Sequence, residues 1–205
     1  AKHYRVWDYG TERDKLLAAG LQLGRRYHFD ERHAMRVSAL ALEFFDGTQS
    51  IHGLSDEDRS VLRLAALLHD VGDFLNPSGH HKHSEYIIES SEVMGLPFER
   101  RQIIAQVARY HRRSFPTTRH PKFKALDEDT RERVRRLAAI LRVADALDRG
   151  HRSKVDKLSI LQGGKQLQVG VTANEDASLE LWTAERKADL FNEVFGVTVK
   201  LSAEA

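Results

Sequence analysis

An apolar run that ends in an imidazole and a carboxylate constrains this chain more than any other feature. Residues 62–74 read LRLAALLHDVGDF: Leu62 through Leu68 have helical character, His69 and Asp70 follow at once, and Gly72 is expected to stop the helix. Burying an ionisable pair at the end of a greasy helix is expensive unless something pairs with it. Any fold that accommodates this stretch must bring that partner.

The hydrophobic period supplies candidates. A short helix is expected over 12–24, ending at Gly24, and a second from Asp30, with Phe29 placed to staple onto Ala34. The stripe Val37, Leu40, Ala41, Phe44 on this second helix carries His33 on the same face. Ser55 with Asp56, Glu57 and Asp58 starts the helix that delivers His69 and Asp70. A fourth helix is expected from about His83 to Met94, stopped by Gly95. A fifth begins near Pro97, and its stripe Ile104, Val107, Ala108 leads to His111. Residues 112–125 read as loop, and Asp127 caps a long helix over 128–149 whose stripe ends in Asp145.

From Val155 the period changes to alternation about Gly163-Gly164, a hairpin signal. SLELW reads as a strand, TAERKADLFNEVFG as a helix and VTVKL as a last strand. The expected fold is mainly α: an all-helical metal-binding domain over 1–152 and a small α+β domain over 153–205.

Five helices thus each bring a metal-capable side chain to a buried face: His33, the doublet His69-Asp70, His83, His111 and Asp145. The chain has no cysteine, which excludes disulfides, thiolate ligands and a Cys nucleophile. An imidazole-and-carboxylate set suits Mn, Fe, Co, Ni or Zn. A cation offsets the charge of Asp70 and satisfies the imidazole of His69, so one or two divalent transition-metal ions answer the burial problem. His81 competes with His83 for the ligand role; His83 is preferred because Tyr86 and Ile87 follow it at helical spacing.

The order His33, His69-Asp70, Asp145 resembles the signature of the HD superfamily of metal-dependent phosphohydrolases. That resemblance implies that these four side chains hold one metal, that His83 and His111 serve a second, and that Asp70 bridges the two. The segments RYHFDERHAMRV, AALLHDVG, GHHKHSEYII, ARYHRR and LRVADALDR resemble the C-terminal half of the exopolyphosphatase/guanosine pentaphosphate phosphatase family over nearly the whole chain. DYGTERDKLL resembles that family's junction with its upstream half. In the family the upstream half is an actin-like pair of domains that carries the phosphatase chemistry, and no match to it is seen here. The resemblance therefore carries over the HD module and its α+β tail, not the exopolyphosphatase activity.

The expected activity is phosphohydrolysis of a phosphate ester, nucleotide or phosphoanhydride by metal-activated water. Asp70 and Asp73 are the candidate catalytic residues, since related HD enzymes carry an acid near position 73. Arg112 follows a ligand directly, Arg149 flanks Asp145, and His80, His81 and Lys82 are expected at the entrance; Arg112, Arg149, His81 and Lys82 are the candidate substrate-binding residues. His3, His28, His52, His120 and His151 are expected on the surface, and Arg131, Arg133, Arg135 and Arg136 on a solvated helix face. The runner-up reading is a non-catalytic module that binds polyphosphate or a nucleotide.

The net charge of +2 suits an anionic small substrate, and aromatics are not interleaved with the basic residues, which disfavours nucleic acid as a partner. No apolar run approaches bilayer length, so no membrane partner is expected and cytoplasmic placement is the default. A homodimer is left open.

Overall fold

The computed structural model describes residues 12–92 and 95–204. The chain is mainly helical, with a small α+β unit at its C-terminal end. Its helices are α1 (Glu12–Arg26), α2 (Glu31–Gly47), α3 (Gln49–His52), α4 (Asp56–Leu68), α5 (His80–Ser90), α6 (Phe98–Arg109), α7 (Pro121–Lys124), α8 (Glu128–Ala146), α9 (Ser178–Lys187) and α10 (Asp189–Phe195). A 3₁₀ turn, Val71–Phe74, joins α4 to the loop before α5. The strands are β1 (Val155–Gly163), β2 (Gln166–Ala173) and β3 (Thr198–Glu204).

Capping follows the sequence signals. Asp30 accepts from the His33 backbone N–H, Asp127 accepts from that of Thr130, and Ser55 with Asp58 closes a capping box. Three interior helices, α2, α4 and α8, pack on one another, and α4 and α8 also pack on α6. Their facing residues Leu40, Phe44, Leu62, Leu67, Leu137 and Ile140 are fully buried. Asp58 on α4 receives Arg133 of α8 at 2.8 Å, and the buried Glu85 of α5 receives Gln106 and Arg109 of α6. The first tie joins helices distant in sequence, the second two consecutive ones.

The three strands lie in the order β1-β2-β3. β1 and β2 form an antiparallel hairpin that pairs Gly163 with Gln166, turning through Gly164 at φ +62°, and β3 adds parallel to β2 after the α9–α10 crossover. Leu167, Val169 and Val171 alternate inward from β2 and share one continuous core with the helices. Phe44 of α2 meets Phe191 of α10 edge-on at 5.2 Å, and the end of α2 lies so close to β1 that a Cβ at Gly47 would meet Ile160 at 2.6 Å.

Several elements differ from expectation. SLELW is the start of α9, not a strand: the Asp176 carboxylate accepts from the Ser178 N–H at 3.0 Å and orders a helical first turn. Within the segment expected as loop, Pro121 opens the short α7. α1 continues past Gly24, where the missing side chain admits the Phe29 ring rather than ending the helix; a Cβ there would lie 2.6 Å from that ring. α5 begins at His80, three residues before the expected start, and its expected end at Met94 lies outside the described residues, as do His3 and the first residues of DYGTERDKLL. α4 ends at Leu68, with His69 as its C-cap, ahead of Gly72.

Gly72 serves close approach. Its N–H donates to Ser84 Oγ at 2.9 Å, and a Cβ at this position would lie 2.3 Å from the His80 carbonyl oxygen and 2.4 Å from the Ser84 nitrogen. Both obstacles are fixed by helix α5, so neither side can yield by a rotamer change. Gly72→Ala is expected to destabilise the protein by about 1–3 kcal/mol, the usual cost of overpacking. Urea unfolding measures this; a loss under about 0.5 kcal/mol, the range of inert surface changes, contradicts the account.

Candidate metal centre

Helix ends build the site. His33 lies in the first turn of α2, His69 caps α4, Asp70 precedes the 3₁₀ turn, His80 opens α5, His111 follows α6 and Asp145 sits in the last turn of α8. Five separate chain segments therefore converge on one point. His33, His69, His80 and His111 are all buried.

Asp70 stands at the centre. Its Oδ2 lies 3.4 Å from His69 Nε2 and 3.7 Å from His33 Nε2, while Asp145 Oδ1 lies 3.5 Å and 3.9 Å from the same two nitrogens. On the other side its Oδ1 lies 2.9 Å from His80 Nε2 and 3.4 Å from His111 Nε2. His33 Nε2 and His69 Nε2 face each other at 3.3 Å, as do His80 Nε2 and His111 Nε2.

The outer ring nitrogens decide what those inner ones can be. His69 Nδ1–H donates to Ala66 O at 2.7 Å and His111 Nδ1–H to Ala108 O at 2.6 Å. His33 Nδ1 is 2.9 Å from Asp148 Oδ2, and His80 Nδ1 is 2.5 Å from Asp73 Oδ1. With the outer protons so placed, each neutral imidazole presents an Nε2 lone pair inward. Two facing lone pairs repel unless a proton or cation lies between them. Among the described residues, Asp70 Oδ1 is buried with no aligned hydrogen bond. Imidazoles held by carbonyls and carboxylates, with lone pairs turned toward an unsatisfied carboxylate, fit a divalent ion. Ligand atoms of His33, His69 and Asp145, and separately of His69, Asp70 and His111, lie within 4.8 Å of one another.

Charge alone would settle the cluster differently. Burial pushes the His69 imidazolium down, but Asp70 and Asp145 outweigh it and raise its pKa to about 9. Burial lowers His111 to about 3, Asp70 only partly offsetting it. Burial would raise Asp145, yet the His69 hydrogen bond holds it well below the usual carboxylate range. Burial and Asp70 together raise Asp73.

The cluster forms the floor of an open cleft of about 570 Å³, lined also by Asp73, Arg112, Arg113, Arg149, Thr183 and Lys187. Arg112 rests on the His80 ring, its Nη1 3.1 Å from Nε2. Arg142, by contrast, turns to the Tyr110 carbonyl and the Phe115 ring. His81 and Lys82 line a neighbouring pocket with Arg109, Tyr110 and His120, sharing only Arg112 with the cleft.

Of the residues singled out from sequence, His33, His69, Asp70, His111 and Asp145 meet in the cluster, and Asp73, Arg112 and Arg149 border it. His83 does not; His80 occupies that place. The reason is the face of α5: His80, Ser84, Ile87 and Ile88 point inward, so Ile87 is buried as expected, whereas Tyr86, the other residue that favoured His83, is exposed. Three further residues escaped sequence reasoning. Asp148 holds His33 and accepts from Ser153 N at 2.6 Å; His151 stacks on His33 at 3.6 Å between ring centres; Lys187 reaches the cleft from α9. The only sequence signal for Asp148 is its place three residues beyond Asp145. His52, expected on the surface, is buried and contacts the Phe45 carbonyl at 2.8 Å. Arg133, Arg135 and Arg136 form ion pairs with Asp58, Glu193 and Glu132.

Residues 18–188 match the family model described as Ppx/GppA phosphatase, domain III. Curated proteins similar to the chain include a guanosine-5'-triphosphate,3'-diphosphate pyrophosphatase of Pseudoalteromonas translucida, 31% identical over 93 residues, or 42% of this chain and 18% of that protein. A protein of the same description from Aeromonas hydrophila is 32% identical over 120 residues, or 58% of this chain and 24% of that protein. The chain spans about a quarter or less of the length of these relatives.

A pH dependence follows from His69. Folded His69 holds its proton more tightly than a free histidine at 6.5, so the stability this confers is complete below pH 6.5 and fades as pH rises toward about 9. The melting temperature of chelated protein is expected to fall across that interval. Added Mn²⁺ should restore it most at the alkaline end, where no proton must be displaced. A chelated melting temperature that stays flat contradicts this.

Proposed function

The chain belongs to the Ppx/GppA phosphatase domain III family, and on that premise we propose that its cluster is an HD-type metal centre that hydrolyses a phosphate ester, nucleotide or phosphoanhydride. The observation that carries this reading is the position of Asp70, whose two oxygens face two separate pairs of imidazoles. A carboxylate so placed would serve two cations at once. His33, His69, Asp145 and Asp70 Oδ2 would hold one ion, and His80, His111 and Asp70 Oδ1 the other, with Mn, Fe, Co, Ni and Zn all suited to such donors. Ions bound there lower the pKa of a water and polarise a phosphoryl oxygen.

The remaining chemistry belongs to the chain. Asp73 fixes the outer proton of His80, and its raised pKa suits it to pass a proton toward the leaving oxygen. Asp148 fixes His33 in the same way. Arg112 and Arg149, on the cleft wall, bind and orient phosphoryl oxygens through charge-assisted hydrogen bonds. His81 and Lys82 would meet only a substrate long enough to pass Arg112 into the adjoining pocket. The name pyrophosphatase borne by the relatives supports cleavage of a phosphoanhydride as the bond type.

Metal analysis of protein purified without chelator, with hydrolysis assays in Mn²⁺, tests the reading. Two ions per chain and Mn-dependent hydrolysis are expected, and Asp70→Asn should abolish both. His80→Ala should drop the count to one ion, whereas His83→Ala should keep two. Without stoichiometric metal and hydrolysis the enzymatic reading is lost; metal with phosphate binding but no turnover leaves the non-catalytic module. Arg112→Ala should raise KM about tenfold or more, the worth of one charged hydrogen bond; an unchanged KM withdraws its role.

A further inference from the structure

A further imidazole stands at the solvent side of the cluster. His151 follows α8 and lines the cleft with its side chain 41% exposed, whereas His33, His69, His80 and His111 are buried. It is a ligand of neither proposed ion.

Two observations mark it as a donor of electron pairs. Its Nδ1 lies 3.0 Å from Asp30 Oδ2. An ionised carboxylate only accepts, so Nδ1 carries the proton and Nε2 keeps a lone pair. The four cluster rings are prepared in the same way, each with its outer nitrogen held and Nε2 free. The second observation is distance: ligand atoms of His33, Asp70 and His151 lie within 4.8 Å of one another. The backbone is fixed as well. His151 has φ +53°, a left-handed conformation that is unfavourable for a side chain of this size, and its N–H donates to Asp148 O at 2.9 Å.

Stacking decides which ion it can reach. The His151 and His33 rings lie 3.6 Å apart between centres, with planes only 8° from parallel. No ion can lie in both planes and bond both rings at about 2.1 Å, the usual metal–imidazole length. His151 therefore cannot complete the His33 ion; it can take a cation one step nearer solvent, together with Asp70. Charge favours arrival on this side. Arg112 covers the His80 ring across the cleft, where a divalent ion is repelled, while the half-exposed Asp30 carboxylate stands beside His151.

We propose that His151 and Asp70 form an outer cation position through which an ion reaches the His33, His69 and Asp145 site. The outer position offers fewer protein donors than the inner one, so a cation held there moves inward. Asp70 stays bound to it throughout the transfer. The inference rests on the metal-centre reading and adds the route by which that centre is loaded.

Mn²⁺ uptake by the metal-stripped full chain tests this, by stopped flow with a fluorescent indicator of free Mn²⁺. An EDTA chase gives release, and calorimetry gives ion number and affinity. His151→Phe keeps a flat ring against His33 and removes the donor. Uptake and release of one ion should both slow about tenfold. Two ions should still bind with unchanged affinity, because a position on the path alters the barrier and not the end states. Asp30→Asn keeps the helix cap, since its amide oxygen can accept from the His33 N–H, but turns an NH₂ toward His151 Nδ1. The ring proton then moves to Nε2, the lone pair facing the cleft is lost, and uptake should slow in the same way. A purely stacking role would leave Asp30→Asn at the wild-type rate.

Unchanged rates in either variant, with two ions bound, overturn the proposal and leave the metal centre standing. So does a lost ion or lost affinity in His151→Phe, which would make His151 a resident ligand. A wild-type chain that binds no Mn²⁺ removes the centre and the route together.

Discussion

One carboxylate among four imidazoles governs this structure. Asp70 is carried on the turn after α4, and each of its oxygens meets nitrogens from two different helices. Such a group cannot be buried alone. The surrounding architecture is a set of solutions to that one problem. Helix ends place imidazoles around it, backbone carbonyls at Ala66 and Ala108 orient two of them, and Asp73 and Asp148 orient the others. The 3₁₀ turn follows at once and brings α5 within backbone contact of Gly72, so His80 can open its helix beside the cluster.

Much of this was legible in the sequence because it is local. Capping residues and apolar stripes marked α2, α4, α6 and α8, and the cluster side chains falling on those stripes came with them. Failure began where local signals competed. Tyr86 looked like a core residue and pulled the reading toward His83, but α5 starts at His80 and leaves Tyr86 in solvent. Gly24 and Gly72 looked like helix stops, yet both are spaces for a neighbour, Phe29 in one case and α5 in the other. SLELW has strand composition, but it begins a helix just after Asp176, whose carboxylate accepts from the Ser178 N–H. Asp148, His151 and Lys187 were invisible for a different reason: their roles exist only once the chain after α8 has folded back over His33 and the cleft.

The C-terminal unit is joined to the helices by more than a linker. Phe191 packs on Phe44, Glu43 accepts from the Leu158 N–H at 3.0 Å, and Arg135 pairs with Glu193. These contacts fix α9 along α8, which carries Asp145. Geometry at the mouth of the cleft thus depends on packing far from it, and a change in the sheet can be felt at Lys187.

Asp30 shows how tightly the two ends of the site are coupled. One of its oxygens accepts from the His33 N–H at 3.1 Å, and the other meets His151 Nδ1 at 3.0 Å. The same carboxylate that begins α2 therefore moors the segment leaving α8, held at His151 with φ +53°. The donors span the chain from residue 33 to residue 145, so no fragment short of that interval owns the complete set. The centre is complete only where those distant helices have met, so a cation held there would act as a lock on the formed bundle.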